Sequence, residues 1–578
     1  VKRKFLNFPF IIELARTDKI NILFIIALWF LMIILVNPLG DFPLNDDWVY
    51  GLSVKSILEK GDFRLPAAAS ANLLPQAFWG ALFCLPFGFS FTALRFSTLT
   101  LGLIGVVITY AILRQVKANP EISLLGALLI AFNPIYFGLS NTFMTDVPFF
   151  AVTFLSFYFL ILGLKHDSNL QIALGIFLSY IALLIRQYGI IITLAFWFAY
   201  SVKKGLSVRN IIKGFIPLFT SVLVQVIYQK WMISTNRMPN VSNPQYYTFF
   251  HSIKDFFLYH TLVSKFSLTI RVLLHLGLFL LPFIITVCSR KFRYNRQEKL
   301  ILLSSFFIVV VMGSRLLNLI NRRTMPLLGN ILTSFGLGPL TLRDTYILQL
   351  NYPLIPLVIK ISWTLLTTIA ILATVLLVYY LVLATLKIFD QAQDSNNQQN
   401  KWLIIFIISG LFSYLSLVVL SGPSDRYLLP LLPLSMIAIL LSTKDVIKKN
   451  LGGKITSLVV IMLLLLYGGF TIGATHDYLA WNRSRWQALN DLMEESRILP
   501  NNIDGGYEFN GWYLYDFKYK KSRDKSRWWV DNDDYIISFG PLDGYEAVKQ
   551  YPVRRLLFFG PRDIFVLHRS AKANSVKP

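Results

Sequence analysis

The sequence predicts a polytopic α-helical membrane protein of about thirteen transmembrane helices, followed by a small C-terminal α/β domain on the extracytoplasmic side. Three observations predict it. Hydrophobic residues fill 55% of the 578 positions and charged residues only 15%, with a mean hydropathy of +0.56, whereas a soluble globular chain carries about a quarter charged residues. The apolar residues fall in runs long enough to cross a hydrocarbon core instead of alternating with polar ones. The basic excess (55 Lys and Arg against 31 Asp and Glu) lies in the first 473 residues, because residues 474–578 are nearly balanced at 16 against 14. A basic excess scattered through short loops is the positive-inside signal, not a nucleic-acid arm. Together these features exclude a soluble enzyme, a disordered chain, a β-barrel porin and a nucleic-acid partner.

The elements follow in order. Lys2-Arg3-Lys4 and the run 20–37 imitate a signal peptide, but Asn37-Pro38-Leu39 offers no small-x-small cleavage site, so the run is expected to stay as the first span. Further spans are expected at 93–113, 122–140, 147–164, 170–185, 189–201, 215–233, 266–288, 300–313, 356–386, 402–421, 428–442 and 455–473. With the N-terminus cytoplasmic, the inner loops hold 23 of the 39 basic residues, including Lys203-Lys204 and Arg290-Lys291-Arg293-Arg296, although the outer segments are longer. The expected location is the plasma (inner) membrane, with the C-terminal domain outside. The apolar stretch 75–91 is bounded by Pro75 and broken by Pro86 and Gly88, and reads as an interfacial or re-entrant helix.

Residues 1–473 are thus read as the catalytic membrane domain and 474–578 as a second domain. The outer loops 38–92, 234–265 and 314–355 are long enough to be functional. In the tail, 478–499 has helical periodicity, and 535–539, 555–559 and 563–568 read as strands. The two cysteines, Cys84 and Cys288, sit in or beside apolar runs and suggest neither a disulfide framework nor a metal cage.

Chemistry gathers at the outer ends of the spans. Asn45-Asp46-Asp47-Trp48 follows the first span. Adjacent carboxylates at an interface repel, and desolvation raises at least one of their pKa values, as a general base requires; a solvated turn is the plain alternative. Asp146, in Thr145-Asp146-Val147-Pro148, lies at the same level and equally suits a helix N-cap. Arg186, in Arg186-Gln187-Tyr188-Gly189, interrupts an apolar stretch, so it is either paired in a polar cavity, where its planar fork suits a phosphate, or snorkelling to the interface. Arg426, in Ser424-Asp425-Arg426-Tyr427, invites the same reading, or that of an Asp–Arg surface pair. Carboxylates and arginines on one rim above a lipid-accessible bundle suit a reaction on a lipid-linked phosphate.

At these residues the sequence resembles the GT-C superfamily of polyprenyl-phosphate-sugar-dependent glycosyltransferases, nearest the branch with protein O-mannosyltransferases and lipid A aminoarabinose transferases. The resemblance rests on Asp46-Asp47-Trp48-Val49-Tyr50 after the first span, Leu94-Arg95-Phe96 opening the second and Met144-Thr145-Asp146-Val147-Pro148 before the fourth. It continues with Arg186 after the fifth span and Arg426-Tyr427-Leu428-Leu429-Pro430 near the end. The chain departs from the family in having Asp47 for the commoner Glu, Val49 for a frequent basic residue, and Arg186-Gln187-Tyr188-Gly189 where Lys-Gly is frequent. The resemblance implies an inverting transfer from a polyprenyl-phosphate-sugar donor to a hydroxyl of a glycan, lipid or protein acceptor. Asp46 is the implied general base, with Asp47 and Tyr50 orienting the base or the sugar. Arg186 and Arg426 are implied to hold the phosphate and Asp146 to bind a sugar hydroxyl or a basic neighbour, with Gln187 and Tyr188 also among the substrate-binding residues. Relatives differ in metal need, so a divalent cation stays open as a cofactor and no metal ligand is assigned.

Three other readings use the same residues. A membrane glycan polymerase or ligase would want arginines in a large outer loop, and 314–355 carries Arg315, Arg322, Arg323 and Arg343. A secondary transporter would show paired broken helices near the midplane, often in repeated halves, and no repeat is visible. A receptor or scaffold would use the C-terminal domain as its ligand binder.

Overall fold

The computed structural model describes residues 15–238, 254–255, 258–289, 294–312, 324–350, 354–389, 395–422, 424–443, 453–516, 518–519 and 528–570. Within them each of the thirteen apolar runs is helical. Nine helices among the described residues are long and apolar enough to cross a membrane, and Pro120–Ala131 with Pro134–Ser140, bent by 61°, makes a tenth. The remaining three runs are short: Asn169–Ile185, Ile190–Lys204, and Arg296–Phe306 with the π-turn after it. All thirteen runs are thus helical, but among the described residues nine helices, or ten with the bent pair taken as one span, have spanning length.

Local signals place the helix starts. Asn119 and Asn133 each cap a helix that opens with proline, which bends the chain between two short helices instead of letting one span continue. Ser90 accepts from the Thr92 amide to start Phe91–Gln115. The stretch 75–91 forms Leu74–Cys84, and eleven residues reach only about 16 Å, too short to span.

Asp146–His166 and Asp425–Ser442 are the central helices, 89% and 94% buried along their most apolar stretches, whereas the most apolar stretches of Arg16–Val36, Val208–Ser234 and Lys454–Glu494 are at most 22% buried and form the outer rim of the bundle. One end of the bundle carries basic residues close to acids: Asp18 accepts from Arg114 Nε (2.8 Å) and the Tyr110 hydroxyl, and Lys204 pairs with Asp167 at 2.7 Å. The other end carries the segments around Asp46, Asp146, Arg186 and Arg426.

The expected division at 473/474 falls inside one continuous helix, Lys454–Glu494, which leaves the membrane region and becomes the first element of the tail. A four-stranded sheet follows, in the order Ile503–Asp504, Tyr535–Ser538, Asp563–Arg569, Tyr545–Pro552; the first pair is parallel and the others antiparallel. The strand expected at 555–559 is instead a bent segment whose Leu556 and Leu557 amides donate to Asp477, and the edge strand beside Asp563–Arg569 is Tyr545–Pro552. Tail and membrane part share one core. Trp48 packs on Tyr507, Tyr515 and Trp529, Phe42 stacks on Trp486, and Phe89 stacks on Trp512.

Candidate active site

The acid pair separates at the start of helix Asp47–Lys60. Asp47 turns inward, where its two oxygens accept from the Leu44 amide (3.2 Å) and the Phe143 amide (2.8 Å) and so tie the first outer loop to the turn before Asp146. Burial pushes the Asp47 carboxyl up to about 8, against the opposing pull of Arg95 and the two amides. Asp46 turns the other way and keeps 26% of its side chain exposed. Its Oδ1 accepts from the Tyr507 hydroxyl at 2.9 Å, and its Oδ2 lies 3.4 Å from Arg426 Nη1.

Arg186 and Asp146 form an ion pair buried between two helix ends. Asp146 does not cap its own helix, for Thr145 occupies that position without a side-chain hydrogen bond. Its second oxygen is buried and has no hydrogen-bond partner among the described residues. Arg186 does not snorkel: its guanidinium lies against the rings of Tyr427 (4.6 Å) and Tyr188 (5.6 Å). Arg426 lies against the same Tyr427 ring at 5.3 Å and, with a buried Nε lacking a partner among the described residues, faces Asp46. It makes no pair with Asp425, whose buried carboxylate accepts from the Ile331 and Leu332 amides and pins the outer loop over the site. Two guanidiniums on one tyrosine ring, each facing a different carboxylate, join residues 380 positions apart into one cluster.

Tyr50 is buried beside the same charges, and its hydroxyl is pushed above its ordinary range, first by desolvation and then by Asp46. Gln187 and Tyr188 brace the wall: Gln187 donates to the Asn72 side chain (3.1 Å) and the Ser70 carbonyl (3.3 Å), and the Tyr188 hydroxyl shares a hydrogen bond with Ser421 at 2.6 Å. Arg95, buried at the start of the second span, donates to the carbonyls of Pro38, Gly40 and Phe42 and shapes the loop that leads to Asp46. In the second outer loop 239–253 lies outside the described residues, as do Arg315, Arg322 and Arg323 in the third. Arg343 is committed to Asp533 and, at 3.7 Å, Asp504 of the tail.

Sequence reasoning missed the tail's share of the site. Helix Tyr507–Leu514 brings Tyr507 onto Asp46, and the next residue, Glu508, accepts from the Asn45 amide (3.1 Å), the Thr341 hydroxyl (2.6 Å) and Arg485 (2.7 Å) while wholly buried. The available signal was Glu508 itself, an acid within Gly505-Gly506-Tyr507-Glu508-Phe509-Asn510-Gly511, where glycines permit close approach of backbones. A separate open cleft of about 510 Å³ lies between the third outer loop and the helix Leu357–Leu386, lined in part by Phe335, Thr345, Tyr346 and Lys360.

Among the described residues no three His, Cys, Asp or Glu side chains gather as ligands, and Asp46 and Asp146 each face an arginine that would repel a divalent cation.

Residues 75–233 match the model of the family described as dolichyl-phosphate-mannose-protein mannosyltransferase, a stretch that includes Asp146 and Arg186 but neither Asp46 nor Arg426. No curated protein matches the sequence. Among solved structures, the archaeal oligosaccharyltransferase AglB from Archaeoglobus fulgidus, in complex with an inhibitory peptide and a dolichol-phosphate, is 13% identical with a TM-score of 0.41; the alignment covers 83% of this chain and 58% of that one. The apo oligosaccharyltransferase from the same organism is 14% identical, with a TM-score of 0.43 and coverage of 83% and 57%. ArnT from Cupriavidus metallidurans, bound to undecaprenyl phosphate, is 11% identical with a TM-score of 0.39 over 96% of this chain and 99% of that one. The chain thus spans 58% and 57% of the lengths of the two oligosaccharyltransferases. Over residues 75–233, the family match bears out the resemblance to the GT-C superfamily of glycosyltransferases read from the sequence.

Proposed function

We propose that the chain moves a sugar from a polyprenyl-phosphate donor to an acceptor hydroxyl at the extracytoplasmic face of the plasma membrane, inverting the anomeric centre, with Asp46 as general base. The observation that carries this reading is the division of labour in the acid pair. Asp47 is sealed by two backbone amides and holds its proton near neutral pH, whereas Asp46 is partly open and faces Arg426.

In this mechanism Asp46 takes the proton of the acceptor hydroxyl as its oxygen attacks the anomeric carbon. The bond from that carbon to the phosphate oxygen breaks, and the polyprenyl phosphate leaves with the electron pair. A phosphate is already a stable anion, so no general acid is needed, unlike in a glycosidase with its two carboxyls. Arg426 and Arg186 hold the departing phosphate by charge and by their planar forks. The free oxygen of Asp146 accepts a hydroxyl of the donor sugar. Tyr50, Gln187 and Tyr188 line and brace the sugar site. The acceptor is a hydroxyl of a glycan, a lipid or a protein.

The purified protein, offered polyprenyl-phosphate-linked hexoses and pentoses with a membrane glycolipid extract, is expected to release polyprenyl phosphate and to glycosylate an extract component. Asp46→Asn is expected to lower that rate at least about 100-fold, with unchanged thermal stability and donor binding. Undiminished transfer by Asp46→Asn overturns the base assignment.

A further inference from the structure

We infer that Tyr507, carried by the tail, is a positioning residue for Asp46: its hydroxyl holds the carboxylate oxygen that does not face Arg426, and so sets which lone pair meets the acceptor. The inference rests on the reading of Asp46 as the base. The geometry behind it joins the tail to the outer loops. The Tyr507 hydroxyl donates to Asp46 Oδ1 at 2.9 Å, across 461 positions of sequence. The ring cannot swing away, because Trp48, Trp528 and Trp529 surround it with centroids 5.6–6.3 Å distant. Its backbone is fixed as well: the Tyr507 amide donates to the Thr341 carbonyl at 3.0 Å, and Gly506 enters the helix at φ +88, a conformation that favours glycine. Glu508 then ties the same turn to the amide of Asn45, the residue just before Asp46. The phenol and the base are therefore clamped to one another from both sides.

A carboxylate free to rotate presents its reactive lone pair only part of the time. A donor on one oxygen stops that rotation and favours the charged form. Arg426 alone, at 3.4 Å from the other oxygen, leaves the rotation only loosely restrained.

The test is Tyr507→Phe, which keeps the packed ring and removes only the hydroxyl, compared with wild type in the full-length protein by release of polyprenyl phosphate from the polyprenyl-phosphate sugar that wild type uses best. The expected result is a fall in kcat of about tenfold or more, a donor KM within about twofold, unchanged thermal stability, and loss of rate on acidification that begins at higher pH. A rate and acid limb like those of wild type overturn the inference. So does a loss of rate with a raised KM and an unmoved acid limb, which marks Tyr507 as mere packing. Asp46→Asn, run in parallel, separates the two ideas. If it abolishes release while Tyr507→Phe matches wild type, only the positioning role fails; if it retains release, the base assignment fails and the positioning role with it.

Discussion

Arg186 and Asp146 meet in a buried ion pair that uses only one of the carboxylate's two oxygens. Such a pair is dear to break, because removing one partner strands the other charge away from water. Asp146→Ala is expected to destabilise the protein by about 3 kcal/mol, read by thermal unfolding in detergent. Adding Arg186→Met to the same chain is expected to recover most of that loss while leaving transfer abolished. Equal stability of Asp146→Ala and wild type would contradict the pairing.

Asp47 makes stability depend on pH with a definite sign. Its carboxyl is raised from the ordinary 3.8 to about 8 in the folded chain, with burial as the largest cause. Between those values the folded protein holds a proton that the unfolded chain has released, so this group's contribution is greatest at low pH and is lost as pH rises through about 8. Asp47→Asn keeps a neutral group but turns an NH₂ towards one of two backbone amides. The variant is expected to be less stable than wild type near pH 5, with a flatter decline towards pH 8. Unfolding midpoints across the range decide it, and parallel curves count against the buried, protonated carboxyl.

The Glu508 clamp makes the tail's attachment breakable at one atom group. Its carboxylate serves Asn45, Thr341 and Arg485, and Arg485 is itself wholly buried. Glu508→Ala is expected to lower stability by about 3 kcal/mol, and to raise both amide exchange at Asn45 and proteolysis of the tail. Protection at Asn45 that stays at the wild-type level would contradict the clamp.

Gly511 lets the tail helix lie on the indole of Trp48. A Cβ added there would sit 2.3–2.7 Å from three atoms of that ring. Gly511→Ala is expected to cost about 1–3 kcal/mol through overpacking and to slow transfer by shifting Tyr507, whereas Gly453→Ala, whose Cβ meets nothing within 4 Å, serves as the neutral control. Unfolding and transfer rates of the two variants give the comparison.

Much of this arrangement was legible in the sequence for one physical reason: a charge among apolar runs needs a partner or a cavity. Asp46, Asp146, Arg186 and Arg426 stood out on that ground, and they do converge. Their partnerships were not legible, because Asp425 and Asp47 are closer in sequence to Arg426 and Asp46 yet spend their oxygens on backbone amides. Tyr507 was hidden as one tyrosine among 27, without charge to mark it. The edge strand Tyr545–Pro552 escaped notice because Glu546 to Gln550 are all exposed and show no apolar alternation. The run Arg555-Leu556-Leu557-Phe558-Phe559 read as a strand because it is mostly apolar, yet Leu556 and Phe558 are 60% and 63% exposed.

The helix Lys454–Glu494 has a consequence for how the protein moves. Its 41 residues make a rod of about 60 Å, roughly twice the thickness of a hydrocarbon core. One half lies against lipid and the other carries Arg485, which grips Glu508 beside Tyr507. Because the rod is continuous, any tilt of its lower half is passed to Arg485 and, through Glu508, to the turn that carries Tyr507.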